Sequence, residues 1–409
     1  MPMRDVAEAL RMIRDIVKPA KPLLLSVTPE RIGAVVAEDI RADLDSPPFD
    51  KALMDGYAVR ADDARGRASL CVVAEVRAGF AEAASIVSGE AARIFTGAPL
   101  PAGADAVVKQ EQVEVLPDRT VRLKDPALAP GRNVMPRGAE MRAGEVVIAA
   151  GTRLTPALIG LAAGVGRSSV SLVPVPQVAV ICTGDELVEA GAILGSGQIR
   201  NTNGPMLAAL TAQAGATPHT LGIVGDDRDR LADVIAFALK TSSLLILSGG
   251  VSVGKYDHIP EVLAALGVTT HVHQVRMKPG KPLLFGMYGS VPVFGLPGNP
   301  VSAFVGFQLF VKPALQLLAG DTTAQQPYTA KLAAPLNVTN DRPTYHPALL
   351  SLNAGVLTAT PLPWLGSADL RAFSRVEAVI ELPAGVFTAA AGASVTVIPF
   401  ESIPRTDPA

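Results

Sequence analysis

The amino-acid sequence predicts a multidomain α/β protein, in which a central βαβ domain with a mostly parallel sheet accompanies a β-rich insertion domain and a small C-terminal β domain. The chain has 409 residues, which is enough for several domains of roughly 100–200 residues each. Strands alternate with helices from residue 177 to about residue 318, as expected when helices cover both faces of a parallel sheet. Short β runs broken by Gly and Pro lie on both sides of that region.

Changes in texture divide the chain into four predicted domains. Domain I combines two separated segments of helical and β character, and domain II is the β-rich insertion between them. Domain III is the central α/β domain, and domain IV has the texture of a small barrel or sandwich. The predicted boundaries are 1–45 with 141–176 for domain I, 46–140 for domain II, 177–322 for domain III and 323–409 for domain IV.

Domain I opens with two helical patterns. Residues 5–17 carry apolar side chains at helical spacing with charged residues between them, which predicts an amphipathic helix and not a secretory signal. Thr28-Pro29 is typical of a helix start. It precedes the periodic run Ile32–Ile40, for which we expect a second helix.

Domains II and III differ in their periodicity. In domain II the predicted strands are Ser69–Val76, Ala104–Val115 and Thr120–Leu123. In domain III the predicted strands are Val178–Ile181, Thr217–Val224, Leu244–Leu247, Thr269–Val275 and Val291–Gly295. The predicted helices between and after them are Pro205–Gln213, Asp227–Lys240, His258–Leu266 and Val301–Leu318.

Composition argues against several classes of protein. The net charge of −2 gives no basic field for nucleic acid. Cys71 and Cys182 form no framework of spacings, so we expect reduced thiols and a cytoplasmic protein. The apolar stretch Val301–Phe310 is shorter than the ~20 residues that cross a bilayer. We therefore expect a buried helix there and no membrane span.

A glycine-rich loop, Ser248–Asp257 with the sequence SGGVSVGKYD, follows the apolar strand Leu244–Leu247. Such a loop brings backbone N–H groups up to a phosphate or another oxyanion, and Asp257 adds a carboxylate suited to a metal. The loop also matches the start of the P-loop pattern, G-x-x-x-x-G-K, but Tyr256 stands where that pattern requires Ser or Thr. We therefore expect phosphate binding without a P-loop NTPase.

Four loops follow strands of the central sheet, and parallel strands place such loops at the edge where ligands bind. Each loop contains glycine, and three carry carboxylates. The loops are Thr183–Glu186, Gly225–Asp227, Ser248–Asp257 and Leu296–Pro300. Lys278 and Lys281 add cations just past another predicted strand. Together they indicate a site for an anionic, phosphate-bearing ligand with a divalent metal such as Mg²⁺.

Each piece alone has a simpler interpretation. Asp226-Asp227 is typical of a helix cap, and Pro297–Pro300 is typical of a strand end followed by a helix start. His271 and His273 share one face of a strand, but no third ligand at zinc spacing follows, which favours a structural pair. The convergence of four loops on one edge is what favours a binding site.

Taken as a set, these motifs resemble one family, the molybdopterin molybdenumtransferases, which comprise MoeA and the gephyrin E domain. The matching segments span most of the chain in one order. They are PPFDKALMDGYAVR (47–60), RIFTGAPLPAGADAVV (93–108), PRG (136–138), TGDEL (183–187), QIRNTN (198–203), SGGVSVGKYD (248–257), MKPGKP (277–282) and FGLPGNPVSAF (294–304).

The resemblance implies a homodimer whose active cleft is shared between domain III of one subunit and domain II of the other. It implies a Mg²⁺-dependent reaction that joins molybdate to the dithiolene of molybdopterin, with adenylylated molybdopterin as substrate. AMP and the molybdenum cofactor would be released. A molybdopterin adenylyltransferase and molybdoenzyme-maturation proteins are the implied partners, and neither nucleic acid nor a membrane is expected.

The resemblance also implies roles for individual residues. Domain II of the partner subunit would supply Asp55 and Thr96. Lys278 and Lys281 would bind molybdate or phosphate. The implied catalytic residues are Asp55, Thr96, Glu186, Asp226, Asp257, Lys278 and Lys281. The implied metal ligands are Glu186, Asp226 and Asp257. The residues implied to hold the molybdopterin substrate and its phosphates are Thr183, Gly184, Ser248, Gly249, Gly250, Ser252, Pro297, Gly298, Asn299 and Pro300.

The chain departs from the family pattern in places. Lys51-Ala52-Leu53 stands where a serine commonly precedes the Met-Asp-Gly motif, and Glu140 replaces a usual aspartate. Pro347 and Ala372 stand near positions where domain IV often has Arg and Ser. Two alternatives therefore stay open: a diverged binding or scaffold protein on the same fold, and a hydrolase of nucleotide pyrophosphates.

Overall fold

The computed structural model describes residues 2–65, 69–79, 84–251, 257–321 and 327–401. The chain divides into two compact units. The first, called the α/β unit, comprises Met1–Leu23, Gly33–Ala37 and Ser171–Ala409. The second, called the insertion unit, comprises Leu24–Ile32 and Glu38–Val170.

The elements before the central sheet are mostly short strands. They are α1 (Val6–Ile16), β1 (Leu23–Ser26), β2 (Val35–Val36), β3 (Ile40–Arg41), β4 (Lys51–Ala52), β5 (Gly56–Val59), α2 (Ala61–Arg65), β6 (Leu70–Val76), β7 (Glu90–Ile94), β8 (Ala106–Lys109), β9 (Val113–Leu116), β10 (Thr120–Leu123), β11 (Val134–Met135), β12 (Val146–Ile148), α3 (Pro156–Gly164) and β13 (Ser169–Val173). The amphipathic helix predicted within residues 5–17 is confirmed as α1, which buries Ala9 and Ile13.

The helix predicted over Ile32–Ile40 is wrong. Thr28-Pro29 starts only a single 3₁₀ turn, and Gly33 then adopts a φ of 84°. Val35–Val36 forms β2 and pairs antiparallel with Leu172 and Val173. Both valines are buried. Their β-branched side chains suit a buried strand, and this tertiary pairing overrides the helical spacing.

The insertion unit contains a six-stranded sheet in the order β8-β5-β7-β6-β10-β9. Strands β6 and β10 confirm two of the predicted runs. The third predicted run, Ala104–Val115, is divided into β8 and β9 by a 3₁₀ turn. Strands β5 and β7 are antiparallel neighbours with Gly56 opposite Ile94. This pairing brings the residues just before β5 close to those just after β7.

The central region alternates strands and helices as predicted. Its elements are β14 (Gln177–Thr183), β15 (Leu187–Val188), β16 (Ile199–Arg200), α4 (Asn203–Gln213), β17 (Thr217–Val224), α5 (Arg228–Thr241), β18 (Leu244–Ser248), α6 (Ile259–Ala265), β19 (Thr269–His273), β20 (Leu284–Tyr288), β21 (Val291–Leu296), α7 (Pro300–Gly306) and α8 (Lys312–Leu318). The main sheet has the order β17-β14-β18-β21-β20-β19.

A mostly parallel sheet is confirmed in this region. The pairings among β17, β14, β18 and β21 are parallel, and β20 and β19 pair antiparallel at one edge. Strand β18 is buried along its whole length. Leu244 and Ile246 belong to the core on one face of the sheet, whereas Leu245 and Leu247 belong to the core on the other. Helices therefore cover both faces, as the continuous apolar run requires.

The last helix of this region runs without a break from Pro300 to Leu318, because a π turn over Phe307–Val311 connects α7 to α8. Lys312-Pro313 does not end the helix, since Pro313 lies just after the π turn, which already interrupts the regular α-helical hydrogen-bond pattern. By length and composition this helix is able to cross a membrane, but 72 % of its most apolar window is buried in the fold. A core helix was expected, and this burial confirms it.

The C-terminal region forms a closed barrel in the order β22-β25-β24-β26-β28. The barrel alternative for domain IV is therefore confirmed. The elements are β22 (Tyr328–Leu332), β23 (Leu336–Asn340), β24 (Thr344–Asn353), β25 (Val356–Pro361), α9 (Leu370–Phe373), β26 (Ala378–Leu382), β27 (Gly385–Ala389) and β28 (Ser394–Pro399). Strands β23 and β27 pair beside the barrel as a separate ribbon.

Candidate functional site

A cleft of about 960 Å³ lies at the carboxyl edge of the parallel strands. All four predicted loops line it, which confirms that they meet at one edge. The predicted site residues in the lining are Thr183, Gly184, Glu186, Asp226, Ser248, Gly249, Gly250, Asp257, Pro297, Gly298, Asn299 and Pro300. Ser252 and the remainder of the P-loop comparison, residues 252–256, lie outside the described residues.

Carboxylates crowd one side of this cleft. Burial raises the pKa of Asp226 above its ordinary value, and the negative charges of Asp185 and Glu186 add to that shift. The backbone N–H of Asp226 also donates to Asp185 Oδ1 at 3.0 Å. A bound cation would relieve this repulsion, so the side chains present suit a divalent metal.

The same carboxylates do not form a closed protein cage for a metal. Among the described residues, no group of three or more His, Cys, Asp or Glu side chains is close enough to hold an ion. Mg²⁺ is commonly bound through one or two carboxylates together with water and substrate phosphates. The arrangement therefore suits a metal that arrives with a phosphate ligand.

Asn203 organises the floor of the cleft. Its Nδ2 donates to Ser248 Oγ and to the Gly298 carbonyl, both at 2.8 Å. The Ser248 hydroxyl in turn donates to the Pro297 carbonyl at 3.4 Å. One amide at the start of α4 thus connects the ends of β18 and β21. Since Ser248 is only 2 % exposed, its hydroxyl serves this buried network.

Two buried acceptors on this floor lack a partner. Asn203 Oδ1 and Thr183 Oγ1 have no hydrogen bond within the described part of the chain, although the residues are 8 % and 4 % exposed. An unpaired buried polar atom costs about 1–3 kcal/mol. Such atoms are therefore typical of a floor that a water or a polar ligand completes.

The Gly249-Gly250 pair is required by a close approach of two chain segments. Gly249 has a φ of 99°, and a Cβ there would meet the Thr183 carbonyl and lie 3.0 Å from Thr183 Oγ1. Gly250 has a φ of 60°, and a Cβ there would lie 3.1 Å from Thr183 Oγ1. Only glycine combines this backbone conformation with this space. The loop therefore passes directly over the end of β14.

A positively charged side chain lines the cleft, but it is not one of the two that were predicted. In the described part of the chain, neither Lys278 nor Lys281 lines the cleft, whereas Arg200 does. Lys278 is half-buried, and its Nζ donates to Asn340 Oδ1 at 2.8 Å, while Lys281 is exposed. Arg200 and Asn203 belong to the motif QIRNTN, and sequence reasoning gave them no role. The sequence signal that could have identified them is the start of a helix, α4, directly after the short strand β16.

The cleft also includes Cys182, which is buried at the end of β14. Burial raises the pKa of its thiol to about 11. The thiol therefore stays protonated at neutral pH and is a poor nucleophile. Both Cys71 and Cys182 are free, as expected.

Asp55 and Thr96 meet in the insertion unit. Asp55 Oδ1 accepts hydrogen bonds from the Thr96 N–H and the Thr96 hydroxyl, both at 2.8 Å. These bonds, with a smaller contribution from Arg93, lower the pKa of Asp55. Asp55 and Arg93 also line a recess of about 390 Å³. Asp55 is thus an ionised carboxylate that Thr96 holds in place at the ends of two neighbouring strands.

Two of the departures from the family pattern, Lys51 and Glu140, contact each other. Glu140 accepts a hydrogen bond from the Ser46 hydroxyl at 2.7 Å and pairs with Lys51 Nζ at 3.3 Å. Both contacts lower the pKa of Glu140. The replacements at Lys51 and Glu140 therefore form a local ion pair in the insertion unit.

Ala372, in domain IV, takes part in a helix cap. Its backbone N–H donates to Asp369 Oδ1 at 3.1 Å, so that Asp369 caps α9.

Three family descriptions match successive parts of the chain. The MoeA N-terminal region (domain I and II) matches residues 4–166, the probable molybdopterin binding domain matches 179–317, and the MoeA C-terminal region (domain IV) matches 329–400. The chain belongs to the MoeA family. The resemblance of the motifs to this family is thereby confirmed.

Individual relatives agree with this assignment. The chain is similar to molybdopterin molybdenumtransferase 2 of Mycobacterium tuberculosis, with 33 % identity over 406 residues, or 97 % of this chain and 99 % of that protein. It is 38 % identical over 308 residues to a molybdopterin molybdenumtransferase of Nostoc sp., covering 73 % and 70 % of the two chains. A MoeA crystal structure from Pyrococcus horikoshii has a TM-score of 0.83 and 31 % identity, covering 98 % of this chain and 100 % of that one.

Proposed function

We propose that this chain inserts molybdenum into molybdopterin by a Mg²⁺-dependent reaction that consumes adenylylated molybdopterin and releases AMP. The observation that supports this most strongly is the cleft at the carboxyl edge of the central sheet. Four loops meet there, three of them with family motifs, and together they combine glycine backbone with carboxylates. Such a combination suits a pyrophosphate together with a divalent metal.

Family membership carries the general part of this function. Relatives that match along most of the chain are molybdopterin molybdenumtransferases. The chain is accordingly a transferase of molybdenum cofactor biosynthesis. Its participation in molybdopterin chemistry follows from the same relatives and from the molybdopterin binding domain.

The metal would be held by carboxylates that line the cleft. Asp226, Glu186 and Asp257 line the cleft, and one or two of them suffice when phosphate oxygens complete the coordination. When bound, Mg²⁺ would offset the charge of the pyrophosphate as its P–O bond breaks. Molybdate is the second substrate, and we infer from the family resemblance that the ammonium groups of Lys278 and Lys281 bind its negative charge, although neither lysine is among the described residues that line the cleft.

The remaining residues orient the substrate. Gly249 and Gly250 leave the floor beside Thr183 free of side chains, which lets a phosphate approach the backbone. Asn203 fixes the ends of β18 and β21 relative to each other. Asp55 and Thr96 of the partner subunit would close the cleft in a homodimer, as we infer from the resemblance of this chain to its family.

The proposal includes a cellular setting. An adenylylated substrate requires an adenylyltransferase that acts first, and the product requires acceptor proteins that mature molybdoenzymes. Free thiols at Cys71 and Cys182 support a reducing compartment. We therefore infer that the reaction takes place in the cytoplasm.

The test combines purified protein with adenylylated molybdopterin, Mg²⁺ and molybdate, and measures AMP. Release of AMP that depends on molybdate supports the proposal. Release without molybdate would favour a nucleotide pyrophosphate hydrolase, and substrate binding without turnover would favour a scaffold protein.

A matched pair of variants sharpens this test. Asp257→Ala is expected to abolish turnover without unfolding the protein, because Asp257 lines the cleft. Asp233→Ala removes an exposed carboxylate of α5, and it should leave turnover at the wild-type rate. Equal activity of the two variants would remove Asp257 from the site.

A further inference from the structure

The loop that carries Lys278 is attached to domain IV by its backbone. The Lys278 N–H donates to the Pro343 carbonyl at 2.9 Å, and the Tyr345 N–H donates to the Lys278 carbonyl at 2.8 Å. Lys278 also pairs with Thr344 as a parallel β-bridge. The position of this lysine is therefore determined by the start of β24 as much as by domain III.

The side chain of Lys278 is attached to the same domain. Its Nζ donates to Asn340 Oδ1 at 2.8 Å. Asn340 ends β23, where it pairs with Gly385 of β27, and is only 9 % exposed, so its side chain is buried. An ammonium group requires an acceptor, which directs the amide oxygen, and not the amide nitrogen, at Lys278.

The chemistry of this anchor suits an oxyanion site. A lysine has a flexible stem, and ordering it costs conformational entropy when a ligand binds. The hydrogen bond to Asn340 orders this side chain before a ligand binds. It uses one of the three N–H donors of the Lys278 ammonium group, which leaves two for a ligand. Because an amide is neutral, Asn340 does not cancel the positive charge of Lys278, whereas a carboxylate at position 340 would. The neighbouring carboxylate, Asp341, forms its ion pair with Arg342, at 3.1 Å, which lowers the pKa of Asp341, and the charge of Lys278 adds a smaller contribution to that shift.

We propose that Asn340 is a positioning residue that orders the Lys278 ammonium for the oxyanion substrate, molybdate or phosphate. The inference rests on the proposed function, which assigns Lys278 to that substrate. It also gives domain IV a role in this chain. Pro347 has no polar side chain to offer, and the Ala372 N–H is used to cap α9. Asn340 instead connects domain IV to the loop of Lys278.

The first measurement tests the anchor without any catalytic assay. Acetylation of Lys278 by acetic anhydride is followed by peptide mass spectrometry in the full-length protein. Asn340→Ala and Asn340→Ser should raise the acetylation rate several-fold, because the ammonium is released. Asn340→Asp retains an acceptor and should not raise it. Asn337→Ala, on the exposed side of the same strand, is the matched control and should equal the wild type.

The second measurement tests the effect on the substrate. Asn340→Ala should raise the molybdate concentration for half-maximal AMP release roughly 10-fold with little change in maximal rate. Asn340→Asp should also weaken the binding of molybdate, since its carboxylate cancels the positive charge of Lys278. It should nevertheless keep Lys278 protected from acetylation. The Asn340→Ala effect should largely disappear in a Lys278→Ala background, because both changes act through one ammonium.

Two results would overturn the inference. One is an Asn340→Ala protein that matches Asn337→Ala in both acetylation and molybdate dependence. The other is full additivity of Asn340→Ala and Lys278→Ala. Failure of the proposed function looks different: the wild type itself would show no molybdate-dependent AMP release. The acetylation rates would then still decide whether Asn340 orders Lys278.

Discussion

Asp226 and Asp227 are neighbours in the chain, yet their side chains have different surroundings. Asp227 Oδ1 accepts a hydrogen bond from the Arg230 N–H at 2.8 Å and so caps α5. Asp226 faces the cleft, where burial and nearby negative charges raise its pKa. At the scale of single residues, the simple cap interpretation therefore holds for Asp227, and Asp226 is available for a ligand.

Asp226→Asn is expected to stabilise the fold while it removes turnover. A raised pKa means that the folded state binds this proton more tightly than the unfolded state does. The resulting stability is present at low pH and is lost as the pH rises through the raised pKa, so the ionised carboxylate destabilises the fold at neutral pH. The melting temperature at pH 7.5 should rise by about 1–2 °C, and AMP release should fall on the order of 100-fold.

The pH dependence provides the control for this variant. Below the ordinary pKa of an aspartate, the wild-type side chain is itself neutral, so the two melting temperatures should converge near pH 3. A variant that is less stable at pH 7.5 and retains normal AMP release would contradict both the charge crowding and the catalytic role of Asp226.

The sequence predicted the loop residues of the cleft but neither Arg200 and Asn203 nor the hydrogen-bond partners of the predicted residues. Gly249, Glu186 and Asp226 were predictable because each follows a strand whose carboxyl end faces the ligand edge. The bond between Lys278 and Asn340 was not, since it joins residues 62 positions apart. Such a pair depends on how domain IV packs against the loop of Lys278, and no local pattern encodes that.

At the scale of elements, α5 links the cleft to the core. The helix buries Leu231, Ile235, Ala238 and Leu239, and its N-cap residue, Asp227, directly follows Asp226. Movement of its first turn would therefore move the carboxylate. Asp227 stabilises that turn through its cap.

Asp227→Ala is expected to weaken this element without removing the chemistry. Loss of a side-chain N-cap typically costs about 1 kcal/mol, which should appear as a lower urea midpoint with an unchanged m-value. AMP release at 25 °C should stay within about twofold of the wild type, because the Asp226 carboxylate remains. A large loss of AMP release at wild-type stability would show that Asp227 itself contacts substrate.

Elements with one dominant signal were predicted well, and those with competing signals were not. Strand β17 and strand β10 match their predicted ranges residue for residue. The run Ile32–Ile40 has helical spacing but also β-branched valines, and pairing of β2 with β13 decides in favour of a strand. Strand β20 escaped prediction because its sequence, LFGMY, follows the Pro- and Gly-rich motif MKPGKP.

At the scale of the whole molecule, the predicted site residues fall into two separate units. Asp55 and Thr96 belong to the insertion unit, whereas the cleft residues belong to the α/β unit. The proposed homodimer with shared clefts gives both groups one function. Each cleft would then require an intact insertion unit from one subunit and an intact α/β unit from the other.

Subunit mixing tests this arrangement directly. Asp55→Asn and Asp226→Asn chains carry different affinity tags, are co-expressed, and are purified through both tags in turn. Each homodimer should be inactive. In the heterodimer one cleft receives both substitutions and the other receives neither, so AMP release should return to about half of the wild-type rate per dimer.

A heterodimer of Asp226→Asn and Asp257→Ala provides the control. Both substitutions lie in the α/β unit, so every cleft carries one of them and activity should stay absent. If the Asp55→Asn and Asp226→Asn heterodimer is equally inactive, each cleft is completed within a single subunit.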